Sequence, residues 1–469
     1  MDDVMGRFSP ATRAWFEGAF AAPTPAQLGA WDAISRGDHA LVVAPTGSGK
    51  TLSAFLWALD RLAATPPPAE QLKRCRVLYV SPLKALAVDV ERNLRAPLTG
   101  IRHSASRLGL PVPDVSVGVR SGDTSTADRR TLARVPPDVL ITTPESLFLL
   151  MTSKARESLA GVDTVILDEV HAVAGTKRGA HLAITLDRLD ALLEKPAQRV
   201  GLSATVRPVD EIARFLGGGR PVAVVQPTST KQVELQVVVP VPDLSALGEP
   251  TGDLSGAAAG DPRRASIWPH VEERVVDLIA AHRSTIVFAN SRRLAERLTA
   301  RLNETWAERQ AADDLADGSD VPDLTAAAAP AGSAPPTTTR RAPAEPMAQA
   351  GSTTGAPSVL ARAHHGSVSK EQRALIEDDL KAGRLPAVVA TSSLELGIDM
   401  GAVDLVVQVE SPPNVAAGLQ RVGRAGHQVG AVSRGVVFPK FRGDLVQTAV
   451  VTERMRAGAI EALRVPASP

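Results

Sequence analysis

The chain has 469 residues, enough for two or three domains with buried cores, and its single cysteine, Cys75, excludes an internal disulfide. Hydrophobic residues at 44% and charged residues at 22% fit a soluble globular protein, and aromatics at 3% leave Val, Leu, Ile and Ala to build the cores. A net charge of +1 neither demands nor forbids nucleic acid, because a local basic track is hidden in the total. No window approaches 18 uninterrupted apolar residues, so no membrane span is expected. The start, "MDDVMGRFSP", lacks an apolar segment and predicts no signal peptide; with the lone cysteine it suits a reducing cytoplasm.

In chain order, "HALVVA" (39–44) reads as a strand leading into a helix at "TLSAFLWALDRLAA" (51–64). "RVLYVS" (76–81) leads likewise into "PLKALAVDVERNL", and "DVLITT" (138–143), "TVILDE" (164–169) and "RVGLSA" (199–204) follow, each with a helical pattern after it. This alternation predicts an α/β fold with parallel sheet and crossover helices, whose ligands bind beyond the carboxyl ends of the strands. The pattern stops near Pro221, and Val241 to Arg264, rich in Gly, Pro, Ala and Asp, reads as a linker. Alternation resumes at "STIVFAN" (284–290), "AVVATSS" (387–393), "DLVVQVE" (404–410) and "GVVFPK" (435–440). Between Asn303 and Pro357 large apolar residues are almost absent, which predicts a disordered insertion inside the second domain.

The chemistry-bearing motifs fall at the strand ends. "APTGSGKT" (44–51) joins a strand to a helix, the setting of a phosphate-binding loop: Thr46, Gly47, Ser48 and Gly49 turn backbone N–H groups to phosphate, Lys50 reaches the β and γ phosphates, and Thr51 can ligate Mg²⁺. In "TVILDEVHAVAGTKRG" (164–179), Asp168 can hold Mg²⁺ through water and Glu169 can orient or deprotonate an attacking water. His171 stays open between that machinery and a satisfied polar core position. "GLSATV" (201–206) places Ser203 and Thr205 at another strand end and says little alone. In "LQRVGRAGH" (419–427) two arginines three apart suit a cluster that neutralises a γ-phosphate.

The set APTGSGKT, SPLKALA, TTPES, DEVH, SAT, FANSRR, HHGS, ATSSLELGID and QRVGRAGH, in this order, resembles the superfamily 2 helicases. DEVH with SPLKALA, "RSGDT" (120–124), "AGTKRGAHL" and "SIWPHVEERV" looks most like the large helicase-related (Lhr-type) family of DNA repair motors. The likeness covers nearly the whole chain apart from the two irregular stretches. It implies two tandem RecA-like domains with ATP in the cleft between them: residues 1–225, a linker at 226–265, a second domain at 266–450 interrupted at about 303–357, and a tail at 451–469. It further implies that Gln27 in "PTPAQ" reads adenine, that Asp399 in "LGIDMG" lies near the ribose, and that Gln420, Arg421 and Arg424 form the arginine-finger motif. Many relatives end that motif with a third arginine where this chain has His427, so the essential finger is left open between Arg421 and Arg424. Pro82, Lys84, Thr143, Pro144, Glu145, Ser146, Ser291, Arg292, Arg293, His365 and Thr391 match positions that grip a strand's backbone. His171 would couple the ATP site to Ser203, Thr205 and the opposite domain.

The resulting expectation is an enzyme that uses ATP and Mg²⁺ to travel 3′-to-5′ on single-stranded DNA and to unwind DNA or RNA–DNA duplexes. Strand binding should be salt-sensitive and sequence-tolerant. The rival readings are an RNA helicase of the same superfamily, a nucleotide-dependent binder without turnover, and a duplex translocase that does not separate strands. No membrane partner is expected, and the oligomeric state is open. After QRVGRAGH only one strand-like run and "DLVQTAVVTERMRAGAIEAL" precede "RVPASP", whereas Lhr-type proteins continue with a winged-helix domain. The alternative expectation is therefore a truncated core that binds ATP and nucleic acid without processive unwinding.

Overall fold

The structure, a computed structural model, describes residues 4–466 apart from 46, 229–231, 243–249, 252–262, 265, 318–358, 397–400, 402 and 427–430. The chain begins with α1 (Pro10–Ala19), α2 (Pro25–Ser35), β1 (His39–Val43), α3 (Lys50–Ala64), β2 (Val77–Val80), α4 (Lys84–Arg107) and β3 (Val117–Arg120). It continues with α5 (Thr126–Arg134), β4 (Val139–Thr142), α6 (Pro144–Met151), β5 (Thr164–Leu167), α7 (Val170–Ala174), α8 (Lys177–Leu192), β6 (Gln198–Ser203), α9 (Val209–Gly217) and β7 (Val222–Val225). Next come β8 (Val233–Val237), the two-residue strands β9 (Pro250–Thr251) and β10 (Arg263–Arg264), α10 (Trp268–Ala280), β11 (Thr285–Phe288), α11 (Arg292–Asp317) and β12 (Ala361–His364). Last are α12 (Lys370–Lys381), β13 (Ala387–Ala390), β14 (Leu405–Val409), α13 (Val415–Val422), β15 (Ser433–Phe438) and α14 (Arg442–Arg456).

Two parallel sheets result. The first runs β3-β4-β2-β5-β6-β1-β7 and the second β12-β13-β11-β14-β15-β8. The central strands read as apolar runs because helices cover both faces. Along β1, Leu41 and Val43 enter one core while Ala40 and Val42 enter the core on the opposite face. In the second sheet Val287, Val389 and Val407 face one core, and Ile286, Val388 and Val406 the other. This is the tandem RecA-like architecture. Among the described residues no helix is long and apolar enough to cross a membrane.

Sheet order assembles the site. β5, β6 and β1 are neighbours, so the ends of "TVILDE", "RVGLSA" and "HALVVA" meet although they are far apart in the chain. The Ala44 N–H donates to Ser203 O at 3.1 Å, which joins the phosphate loop to SAT directly. The scarce aromatics concentrate behind α2: Phe8 meets Trp31 edge-on at 5.1 Å and Phe16 meets it at 5.4 Å, which anchors the helix that carries Gln27.

Four boundaries differ from the sequence reading. The alternation does not stop at Pro221, because Val222–Val225 adds an edge strand beside β1. The segment read as linker from residue 226 contains β8, an edge strand of the second sheet paired with β15; its period-two pattern of Val233, Leu235 and Val237 against Glu234 and Gln236 is that of a half-covered strand. The insertion expected from about residue 303 begins later, since α11 runs unbroken to Asp317, held by Trp306 on the core and by an Arg309–Asp277 ion pair at 2.7 Å. The rest of that insertion lies outside the described residues. The tail expected from residue 451 is instead the second half of α14, which buries Met455 in the second domain.

Candidate nucleotide site and strand-binding face

The phosphate loop turns on Gly47 (φ 81°) and Gly49 (φ 78°), a backbone region that glycine adopts without penalty. A side chain at Gly49 would collide with Gln27, whose Nε2 would lie 2.6 Å from the added Cβ. Gln27 is buried and closes a capping box on α2: the Thr24 N–H donates to its Oε1 at 2.9 Å, and the Gln27 N–H donates to Thr24 Oγ1 at 3.3 Å. Thr24 Oγ1 donates in turn to Ser48 O at 3.0 Å, so α2 and the loop are one unit. Lys50 Nζ donates to Ala44 O at 2.7 Å and lies 3.4 Å from Ser203 O. Thr51 sits in the first turn of α3. Thr46 and Asp399 lie outside the described residues, as does His427.

Asp168 and Glu169 are both buried at the end of β5. Asp168 Oδ1 accepts the Glu169 N–H at 2.8 Å, and Oδ2 accepts the Tyr79 hydroxyl from the neighbouring strand β2. Burial, reinforced by the adjacent Glu169 carboxylate, pushes the Asp168 carboxyl upward. Glu169 stands at φ 44°, a left-handed conformation that non-glycine residues rarely adopt and that concentrates at functional sites. Burial opposes its charge, but the positive field of Lys50, with that of Arg424, prevails and holds its carboxyl below the ordinary value. Its Oε2 is buried without a hydrogen-bond partner among the described residues, 3.5 Å from His171 Nδ1.

His171 joins three elements. Its Nδ1 accepts the Ala204 N–H at 3.3 Å and lies 3.2 Å from Ser203 Oγ; its Nε2 lies 2.7 Å from the Gln420 side-chain amide of the second domain. An Nδ1 that accepts leaves the proton on Nε2, so the amide oxygen of Gln420 is its consistent partner. Burial lowers the pKa of the ring, in keeping with a neutral imidazole. Thr205 is exposed at the same edge of the cleft.

The two arginines separate clearly. Arg421 is buried within its own domain, where Nε donates to Glu395 Oε2 at 2.9 Å and Nη1 to Asn290 Oδ1 and Gln408 Oε1, both at 2.9 Å. Arg424 is buried too and donates from Nη2 to Glu395 O at 3.0 Å, yet its charge reaches Glu169 across the cleft. Sequence reading missed Tyr79, Glu395, Asn290 and Gln408, whose roles depend on partners far away in the chain.

The strand-side residues gather at strand ends in both domains. In the first, Thr143 caps α6 through Ser146, both hydroxyls buried, with Pro144 at the helix start. Arg178 donates to Glu145 Oε1 at 2.6 Å and to Pro82 O at 3.0 Å, linking two of the expected grip segments, and exposed Lys84 pairs with Asp123 at 2.6 Å. In the second, Ser291 accepts the Leu294 N–H at the start of α11, Arg292 Nη1 donates to Ser367 Oγ at 2.9 Å, and Arg293 is exposed. His365 is buried against Glu296 at 2.5 Å, and Thr391 follows β13. Exposed Lys84, Arg292 and Arg293 therefore offer charge, whereas Thr143, Ser146 and His365 shape the loops that present it.

Residues 24–212 match the DEAD/DEAH box helicase family and residues 344–428 match the helicase conserved C-terminal domain. The chain is 63% identical over 467 residues to the Lhr helicase/probable uracil glycosylase of Mycolicibacterium smegmatis, covering 100% of this chain and 29% of that protein. It is 36% identical to the ATP-dependent helicase Lhr-Core of Sulfolobus acidocaldarius, covering 100% of this chain and 47% of that one. The structure of Mycobacterium smegmatis helicase Lhr bound to ssDNA and AMP-PNP superposes with a TM-score of 0.81 at 60% identity, over 99% of this chain and 52% of that chain. The sequence thus spans about half or less of each of these relatives.

Proposed function

The chain belongs to the large helicase-related (Lhr-type) family of ATP-hydrolysing superfamily 2 helicases, and from that premise we propose that it is a cytoplasmic, ATP-driven translocase that moves 3′-to-5′ along single-stranded DNA and separates DNA or RNA–DNA duplexes in DNA repair. One observation carries the mechanism: the Gln420 side chain of the second domain lies 2.7 Å from His171 Nε2, two residues after Glu169, so the arginine motif meets the DEVH end of the first domain.

The residues fit ATP and Mg²⁺. Left-handed glycines beside Lys50 suit phosphates, and the buried, unpartnered Glu169 Oε2 suits a water poised for attack. Thr51 and Asp168 would hold Mg²⁺, which when bound neutralises phosphate charge. Lys50 leaves Ala44 O and turns to the phosphates. Glu169, kept ionised by its positive surroundings, takes the proton of the attacking water. Arg424 stabilises the charge that develops on the γ-phosphoryl group. Arg421 holds α13 through Glu395, Asn290 and Gln408, so we assign the finger to Arg424. The contact from Gln420 through His171 to the Ala204 backbone ties cleft closure to the strand-binding face, where Lys84, Arg292 and Arg293 hold phosphates loosely enough to step. The relative bound to ssDNA and AMP-PNP supports this reading.

The test is ATPase activity with single-stranded DNA, single-stranded RNA, duplex or no nucleic acid. Single-stranded DNA is expected to stimulate most; stronger stimulation by RNA would favour the RNA helicase reading. Lys50→Ala and Glu169→Gln should abolish turnover, the latter while still binding ATP. Full DNA-stimulated turnover in either variant would sink the proposal.

A further inference from the structure

Residues Gly458–Val465 cross from the second domain back to the first. Ile460 is buried in the second domain's core with Val415 and Met455. Three residues later Leu463, with Val465, packs on the first domain's core, and the Leu463 N–H donates to Arg207 O at 2.7 Å, where Ala462 and Arg207 form a parallel bridge. The fit extends to Gly175, just after α7: a Cβ there would meet Arg464 O at 3.1 Å and Leu463 Cγ at 3.4 Å.

Between the two anchors, Glu461 turns its carboxylate onto the start of α13. Oε1 accepts the Val415 N–H at 2.8 Å and Oε2 the Ala416 N–H at 3.3 Å, while Asn414 Oδ1 accepts the Ala417 N–H at 2.7 Å. The first N–H groups of α13, which an isolated helix leaves unsatisfied, are thereby met, two of them by a residue outside the helix. α13 carries Gln420 and Arg421, and Arg424 follows in the next turn.

We infer that Glu461 and Leu463 are positioning residues for ATP hydrolysis: the segment 458–465 is a clasp that sets α13 against the first domain and so fixes how closely Gln420 and Arg424 approach His171 and Glu169. The inference rests on the assignment of Arg424 made above. Three residues reach at most about 10 Å, so the cleft opens either by pivoting at this point or by pulling Leu463 from Arg207. A cavity of about 380 Å³ lies beside the clasp, between Pro45 and Thr205 of the first domain and Leu419 and Ile460 of the second. The domains are not packed together there, and the clasp bridges the gap.

In the full chain, Leu463→Ser and Glu461→Ala should each lower the ssDNA-stimulated kcat about tenfold, with the KM for ATP little changed because the phosphate loop belongs to the first domain. Glu461→Gln keeps a carbonyl acceptor for the Val415 N–H and should recover most of the kcat. Bridge partners lie within disulfide range, so adding Arg207→Cys and Ala462→Cys to Leu463→Ser should restore kcat on oxidation and lose it on reduction. Failure of oxidation to restore kcat would reduce Leu463 to a structural residue and overturn the inference. Spin labels at Ile184→Cys and Leu375→Cys, with AMP-PNP bound, read the clasp without hydrolysis: Leu463→Ser should lengthen and broaden the interdomain distance. Unchanged kcat and distance in Leu463→Ser would also overturn the clasp. A native chain without ATPase activity, but with that lengthening, would overturn the reading of the nucleotide site and leave the clasp standing.

Discussion

Replacing His171 and Gln420 by alanine, singly and together, isolates a side-chain bond that ties the DEVH helix to the arginine motif. The bond is 2.7 Å long and part-buried. A neutral hydrogen bond of this kind contributes about 1 kcal/mol net, so Gln420→Ala should lower the ssDNA-stimulated kcat/KM about fivefold. His171→Ala removes the same bond and also strands the Ala204 N–H, which His171 accepts at 3.3 Å; an unpaired buried donor costs about 1–3 kcal/mol more, for a total loss of roughly 30- to 1,000-fold. The double variant should be no worse than His171→Ala, since the bond can be lost only once, giving a coupling energy of about 1 kcal/mol. The assay is steady-state ATPase with saturating single-stranded DNA, run beside strand displacement and binding of a fluorescent ATP analogue. Nucleotide binding should persist, and displacement should fall more than hydrolysis. Strictly additive losses, or loss of analogue binding in His171→Ala, would refute the coupling role.

Two further outcomes follow from the site. Arg424→Ala should lower kcat about a thousandfold, whereas Arg421→Ala, which leaves the half-buried Glu395 and the buried Gln408 without their cation, should cost about 3–5 kcal/mol of stability; steady-state kinetics and thermal melts separate the two effects. Burial lowers the pKa of both His171 and His39 from the ordinary 6.5. Below that value each binds fewer protons folded than unfolded, so their contribution to stability is complete above pH 6.5 and is lost as pH falls through the folded values; urea melts from pH 7.5 to 5 should show this decline, made shallower by His171→Asn.

Much of this molecule was legible from local pattern. The strands ending in the phosphate loop, DEVH and SAT are apolar runs because both their faces are covered, and glycine at 47 and 49 reports a backbone that only glycine adopts freely. What escaped depends on distant partners. β12, "ARAH", carries no apolar run and is a strand because it pairs with β13. Tyr79 read as one more strand residue until β2 set its hydroxyl on Asp168. The choice between Arg421 and Arg424 could not be read from a spacing of three; the proposal of Arg424 rests on Asn290, Gln408 and Glu395, distant residues that bind the first arginine. Thr143 and Ser146 matched a strand-gripping motif, yet their hydroxyls cap a helix, an ordinary local use of those residue types.

Among the described residues the chain passes between its two domains twice, once between Val225 and Val233 and again between Ile460 and Leu463. Neither domain is therefore a separable module in the genetic sense. A first domain expressed to residue 228 would lack the two side chains that cover its flank near Gly175, and a protease nick at the first crossing would leave the halves held together only by non-covalent contacts, those of Leu463 and Val465 among them. Swapping one domain with that of a relative would have to carry the returning segment along with the second domain, matched to the first domain it lands on. The unit that can be inherited or exchanged intact is the pair.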